Sequence, residues 1–179
     1  MLDNQLIQVF LPIIQNGLIA DGFSGVDTIA ANQPTQQGIP TGPTVYFYKI
    51  GDHRYGFLER TDAWDPINDV MVHTEVQLYE TTFQISTLVI QNPETPNEYT
   101  ASDLANEVAA IMQSDNTLNL LYNNGIAILR VRDISNPYFT DDKDIFEASP
   151  SFEFTLTHSQ TRVSTSNPIS KAVVNIYPV

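Results

Sequence analysis

Residues 70–91, VMVHTEVQLYETTFQISTLVIQ, constrain the fold more than any other stretch of the chain. Val70, Val72, Val76 and Leu78 are separated by two or four residues, which puts them on one face of an extended strand. From Phe83 the apolar set moves to odd positions, Phe83, Ile85 and Val89. A strand changes face only through an inserted residue or a break, so a bulge or bend is expected near residues 80–82. At about 3.3 Å per residue a straight strand of this length would reach roughly 70 Å, about twice the width of a compact domain this size. The stretch must bend or project from the domain. Thr82, Gln84 and Ser86 make the side opposite Phe83 polar, so that side meets water or another subunit.

The flanking segments supply the other elements. LDNQLIQVFLPIIQNGLI spaces Leu2, Leu6, Val9, Phe10, Ile13 and Ile14 by mostly three and four, a helical stripe with Asp3 at its positive end. Pro12 is expected to kink or divide this helix near residues 9–11, and Gly17 to end it. Residues 22–43 turn to Gly, Gln, Thr, Asn and Pro without periodicity, which predicts an extended arm or loop that orders against a neighbour. PTGPTVYFYKIGDHRYGFLER then reads as a hairpin of two short strands, 44–50 and 54–60, around Gly51, Asp52 and His53. DAWDPIND, residues 62–69, reads as an acidic turn.

Beyond residue 91, a polar break with two prolines precedes a helix that Thr100 caps, with Asp103 as the returning acid. Leu104, Val108, Ile111 and Met112 form its apolar face, and residues 116–122 add a helical turn that Asn123-Asn124-Gly125 stops. IAILRVRDI is a strand on which Ile126 and Ile128 share a face with Arg130 and Arg132. These arginines either pair with cross-strand carboxylates, at up to about 1 kcal/mol each when exposed, or contact another subunit. Phe152, Phe154 and Leu156 alternate with Glu153, Thr155 and Thr157 as a further strand, residues 164–168 break it, and KAVVNIYPV closes the chain as a last strand. Strands in runs with helices set apart predict an α+β fold: one domain over 1–179, a mostly antiparallel mixed sheet with an N-terminal helix and one mid-chain helix packed on it.

Composition removes whole classes of chemistry. The absence of cysteine excludes disulfides, thiolate catalysis and cysteine-ligated zinc. Eight basic residues against 21 acidic ones give a net charge of −13, a surface that repels phosphate and is a poor grip for nucleic acid. With no basic leader and no apolar run near the roughly 20 residues a span needs, a soluble protein without membrane attachment is expected. His53, His73 and His158 form no metal-ligand spacing and are expected at the surface or at strand ends. No glycine-rich phosphate loop and no nucleophile elbow occur, so no catalytic residue, metal or cofactor is expected. Asp62, Asp65 and Asp69, and Asp141, Asp142 and Asp144, could hold a hard cation such as calcium, although the second run departs from the EF-hand spacing.

QPTQQGIPTGPTVYFYKI, EVQLYETTFQISTLVI and TASDLANEVAAIM, taken together, resemble the tail or neck terminator proteins of tailed bacteriophages. The resemblance covers about residues 33–114, and the remainder follows by element order. It implies a virion protein of the phage neck: a ring, commonly a hexamer, that ends the tail tube and joins it to the head connector. DNA would pass through its channel without sequence-specific binding, and the partners would be its own copies, the connector, and tube or sheath proteins. On that resemblance Gln33, Pro34, Gln37, Ile39, Pro40 and Pro43 are expected at subunit contacts, as are Arg130 and Arg132. Asp62, Asp65, Asp69, Asp141, Asp142 and Asp144 are expected to face the channel. A tail-tube or tail-completion subunit, and a non-catalytic module binding calcium or a small ligand at the tyrosine-rich hairpin, are the alternatives.

Overall fold

The computed structural model describes residues 1–30, 42–89, 98–140, 146–148 and 150–168. Helix α1 (Asp3–Ala20) is followed by strands β1 (Asp27–Ala30), β2 (Thr44–Asp65) and β3 (Val70–Leu88). Helices α2 (Ala101–Gln113) and α3 (Asp115–Asn123) come next. Strands β4 (Ile126–Val131), β5 (Tyr138–Thr140), β6 (Phe146–Ala148) and β7 (Ser151–Ser166) complete the order. Five strands form a sheet in the order β1-β2-β3-β7-β4, antiparallel except for β1 beside β2, and β5 pairs with β6 apart from it. The fold is the α+β arrangement expected, with the helical turn after α2 developed into a full helix. No helix among the described residues is long and apolar enough to cross a membrane.

The core lies between the helices and one half of the sheet. Leu6, Phe10, Ile14 and Leu18, one face of α1, are fully buried against Val45, Phe47, Phe83, Ile85, Phe152, Phe154 and Leu156. Phe10 sits at the centre, its ring edge-on to Phe47 and Phe83 at 5.0 Å and to Phe154 at 5.6 Å, a geometry that suits the aromatic quadrupoles. Pro12 lies inside α1 without dividing it. Gly17 does not end it either; a Cβ there would stand 2.7 Å from Ile111 Cγ2, so the glycine is the point of close approach between α1 and α2. The helix stops instead at Gly22, φ +90°, where the Gly22 N–H donates to the Ile19 carbonyl and the Phe23 N–H to that of Leu18. That is the paired closure a left-handed glycine permits. Thr100 caps α2 as expected, its hydroxyl accepting from the Asp103 N–H while the Asp103 carboxylate accepts from the Thr100 N–H.

The 44–60 hairpin is not formed. Residues 44–65 are one strand, β2, and the Gly51 region is an irregularity in which Ile50 is extra against β3. The inserted residue moves the core-facing positions of β2 from odd (Val45, Phe47, Lys49) to even (Asp52, Arg54), as a one-residue slip must. The bulge expected on β3 near residues 80–82 is absent, and the irregularity at that level belongs to β2. β3 itself holds a single register with β7 from Met71↔Ser166 to Ser86↔Ser151. Residues 27–30, inside the stretch read as irregular, form β1, and β7 runs through Ser166 rather than breaking at Ser164. The expected last strand over residues 171–179 lies outside the described residues.

Candidate assembly surface

β3 projects. The helices cover the sheet only as far as β7 alternates buried and half-buried, through Phe152, Phe154, Leu156 and His158; from Ser159 to Ser166 every residue of β7 is exposed. Beyond that line β2 (51–65), β3 (70–80) and β7 (159–166) continue as a three-stranded ribbon, about 30 Å long at the usual strand rise. Among the described residues, β2 beyond Phe47 and β7 beyond His158 have a strand neighbour on one side only. Such edges offer unpaired backbone donors and acceptors.

The ribbon's two faces differ because β-strands alternate. On the side shared with the helices stand charged and polar groups. Arg60 and Glu75 pair at 3.2 Å, and the Arg54 guanidinium lies 5.6 Å from the centre of the Tyr79 ring. His73 bridges all three strands, with Nδ1 2.7 Å from Asp62 Oδ1 and Nε2 2.8 Å from Ser166 Oγ. The opposite face is where the even residues of β3 point: Val70, Val72, Val76 and Leu78, with Val163 of β7 across from Thr74. Leu78 is 40% exposed and Val163 61%. The change of apolar set along β3 thus needs no kink, since Phe83 and Ile85 serve the core and the even set serves an uncovered face.

The ribbon is rooted in a polar network. Lys49 Nζ reaches Asp3 of α1 at 2.7 Å and Asp52 at 2.5 Å. Burial pulls the Lys49 amine down, but the bonds and charges of the two carboxylates outweigh it and hold its pKa above the ordinary value. Thr81 Oγ1 donates to Asp52 Oδ1 at 2.7 Å and meets His158 Nε2 at 2.9 Å. Because Thr81 donates to Asp52, it accepts from His158, which makes the imidazole an Nε2–H tautomer. His158 is buried and stacked on Tyr79, contrary to the surface or strand-end position expected for it. Burial, then the N-terminal ammonium, hold its pKa below the ordinary value. The hydroxyl in this relay, Thr81, is fully buried, so no substrate can reach it as a nucleophile.

The residues singled out in the sequence fall in different places. Asp62, Asp65 and Asp69 lie toward the ribbon's tip. Asp62 holds His73, and Asp65 accepts from the Asn68 side chain (2.7 Å) and from the backbone of Ile67 and Asn68, bonds that keep its pKa low. Asp69 has φ +57° at the turn. Arg130 and Arg132 do not share a face with Ile126 and Ile128; Leu129 is an extra residue in β4, and it turns both arginines to the side away from the helices. There Arg132 pairs with Glu153 at 3.1 Å. Pro43 precedes β2 and its carbonyl accepts from the Asp27 N–H. Gln33, Pro34, Gln37, Ile39, Pro40, Asp141, Asp142 and Asp144 lie outside the described residues.

Residues 5–168 match the family described as E217 gateway protein gp29, nearly the whole chain. The chain belongs to this phage gateway protein family. It is accordingly a structural protein of the phage neck. Among solved structures, the gateway chain is similar to the sheath/tube terminator of an extracellular contractile injection system, PVC, seen by cryo-EM in the extended state. The two are 11% identical with a TM-score of 0.45 over 97% of this chain, which spans 64% of the terminator's length. No curated protein sequence matches.

Proposed function

We propose that the chain is the repeating subunit of a closed ring in the phage neck, six copies around, that ends the tail tube and joins it to the head connector. The observation that carries the reading is the three-stranded ribbon, which among the described residues has two open edges and an uncovered face bearing Leu78 and Val163, an aggregation hazard for a solitary domain. A neighbouring copy can cover that face or add a strand to an edge, and a head-to-tail contact of this kind closes into a ring when the rotation permits. In the ring, residues 33–43 and the outward Arg130 and Arg132 contact adjoining subunits. Asp62, Asp65 and Asp69 at the ribbon tip, with Asp141, Asp142 and Asp144, face a channel whose negative charge lets DNA slide without adhering. The neighbours above and below are connector and tube or sheath proteins, and the subunit works by shape, without turnover.

Native mass spectrometry of the purified chain, alone and mixed with neck and tail-tube proteins, tests this directly. A discrete hexamer, seen as an annulus in negative stain, is expected. A strict monomer in every mixture overturns the proposal.

A further inference from the structure

The edge of β2 carries a second irregularity. Tyr55 pairs with Leu78 and Glu59 with Val76, so Gly56, Phe57 and Leu58 together oppose the single residue Gln77. Gly56 adopts φ +70°, which its lack of a side chain makes cheap, and Phe57 is 100% exposed. Edge bulges re-aim side chains, and a fully exposed phenyl ring on a bulge is a knob without a hole. A hole exists elsewhere in the same molecule. α1 and the α2–α3 corner enclose a groove of about 750 Å³ whose apolar lining includes Pro12, Ile13, Ala110, Ile111 and Leu120. Its rim carries two like charges, Asp21 and Glu107. Burial first, and then the hydrogen bond and charge of Asp21, hold the Glu107 carboxyl above its ordinary pKa. Among the described residues no cation lies within ion-pair distance of either.

We propose that the bulge of one copy, with Phe57 and Leu58, seats in the α1/α2–α3 groove of the next copy, with Arg54 against the Asp21–Glu107 pair. The inference rests on the ring reading and names one of its contacts. Charge complementarity calls for a basic occupant, and of the three arginines without a carboxylate partner among the described residues, Arg54, Arg130 and Arg162, Arg54 is the one on the strand that carries the Phe57 bulge. The contact is heterologous, knob to groove, so it propagates around a ring. A buried aromatic anchor of this sort dominates an interface.

The cysteine-free chain makes the test clean. Two single variants, Phe57→Cys and Ala110→Cys, are mixed under mild oxidation, with Ile67→Cys at the exposed turn replacing Phe57→Cys as the control. A disulfide-linked dimer from the first mixture and none from the control is expected. Phe57→Ala should weaken ring association at least about thirty-fold. Arg54→Glu should weaken it also, and Glu107→Arg should restore it. If the wild type forms rings but the first mixture gives no linked dimer, or Phe57→Ala rings as tightly as wild type, this contact is wrong and the ring reading stands. If Ala110→Cys links instead to a neck or tail protein, the groove belongs to that partner and the proposal fails. If no ring forms at all, both fail.

Discussion

The same three strands have two lives. Over the root half, β2, β3 and β7 alternate buried and half-buried residues beneath three helices; over the ribbon half β2 and β7 are almost wholly exposed, with β3 half-buried between them. At the root a side chain is held by its neighbours on all sides, and the sequence there is strict: Phe47, Phe83, Phe154 and Phe10 fill one another's space. On the ribbon the polar residues answer to one another across the strands, as His73 does to Asp62 and Ser166, while Phe57 and Val163 stand exposed. Burial therefore measures what folding requires, and in the proposed ring the exposed apolar residues of the ribbon, Phe57 and Val163 among them, mark what assembly requires.

The sharpest way to separate the halves is to damage the root. Phe10→Ala removes a fully buried ring touching three others and should cost about 3–5 kcal/mol, read as a lower urea midpoint. A loss well below that range would mean the root is loosely packed and the contrast false. Next in size is Gly17→Ala, whose added methyl meets Ile111 at 2.7 Å and should cost about 1–3 kcal/mol. The double variant Gly17→Ala with Ile111→Ala, which removes the Cγ2, Cγ1 and Cδ1 atoms that the methyl would meet, is expected to cost less than the sum of the two single changes. Simple additivity would place the strain elsewhere.

Where root and ribbon join, pH provides a finer probe. The folded pKa of His158 is depressed by burial, so the unfolded chain binds the proton more readily. Its contribution to stability is complete above the unfolded value, about 6.5, and is lost as pH falls from there through the folded value. His158→Gln cannot titrate and should flatten that limb of the stability curve. An unchanged acid limb in the variant would show that other groups control it.

Much of the root was legible in advance because it obeys local rules. The helical stripe of α1, the Thr100–Asp103 cap and the alternation of Phe152, Phe154 and Leu156 each follow from residues close in sequence. What was not legible turned on single inserted residues. Ile50 made a strand out of an apparent hairpin, since Gly51 and Asp52 signal a bulge and a turn alike. Leu129 carried Arg130 and Arg132 to the other face, and no residue near it announces the insertion. Gly17 looked like a helix stop because a glycine needed for close approach and one needed for φ above zero are the same letter. The Phe57 bulge did have a signal, Gly56 amid aromatic and apolar residues, but without a partner strand its exposure had no expression in sequence. Asp62 was visible as an acid and not as the partner of His73, a contact that only the β2–β3 register creates.

The smallest effect on folding should accompany a large one on assembly. Val163 lies on the uncovered face of an edge strand and is 61% exposed, so Val163→Lys removes little that the monomer has buried. Its unfolding free energy should stay within about 0.5 kcal/mol of wild type. Placing a charge on an edge strand is also how natural sheets refuse partners, and the variant should fail to form the proposed ring when assayed by native mass spectrometry. A ring that survives would show that this face looks onto solvent in the assembled neck. A monomer that loses several kcal/mol would show that the ribbon is packed by its own chain. Only the pairing of an intact monomer with a lost ring fits strands whose two halves answer to different partners.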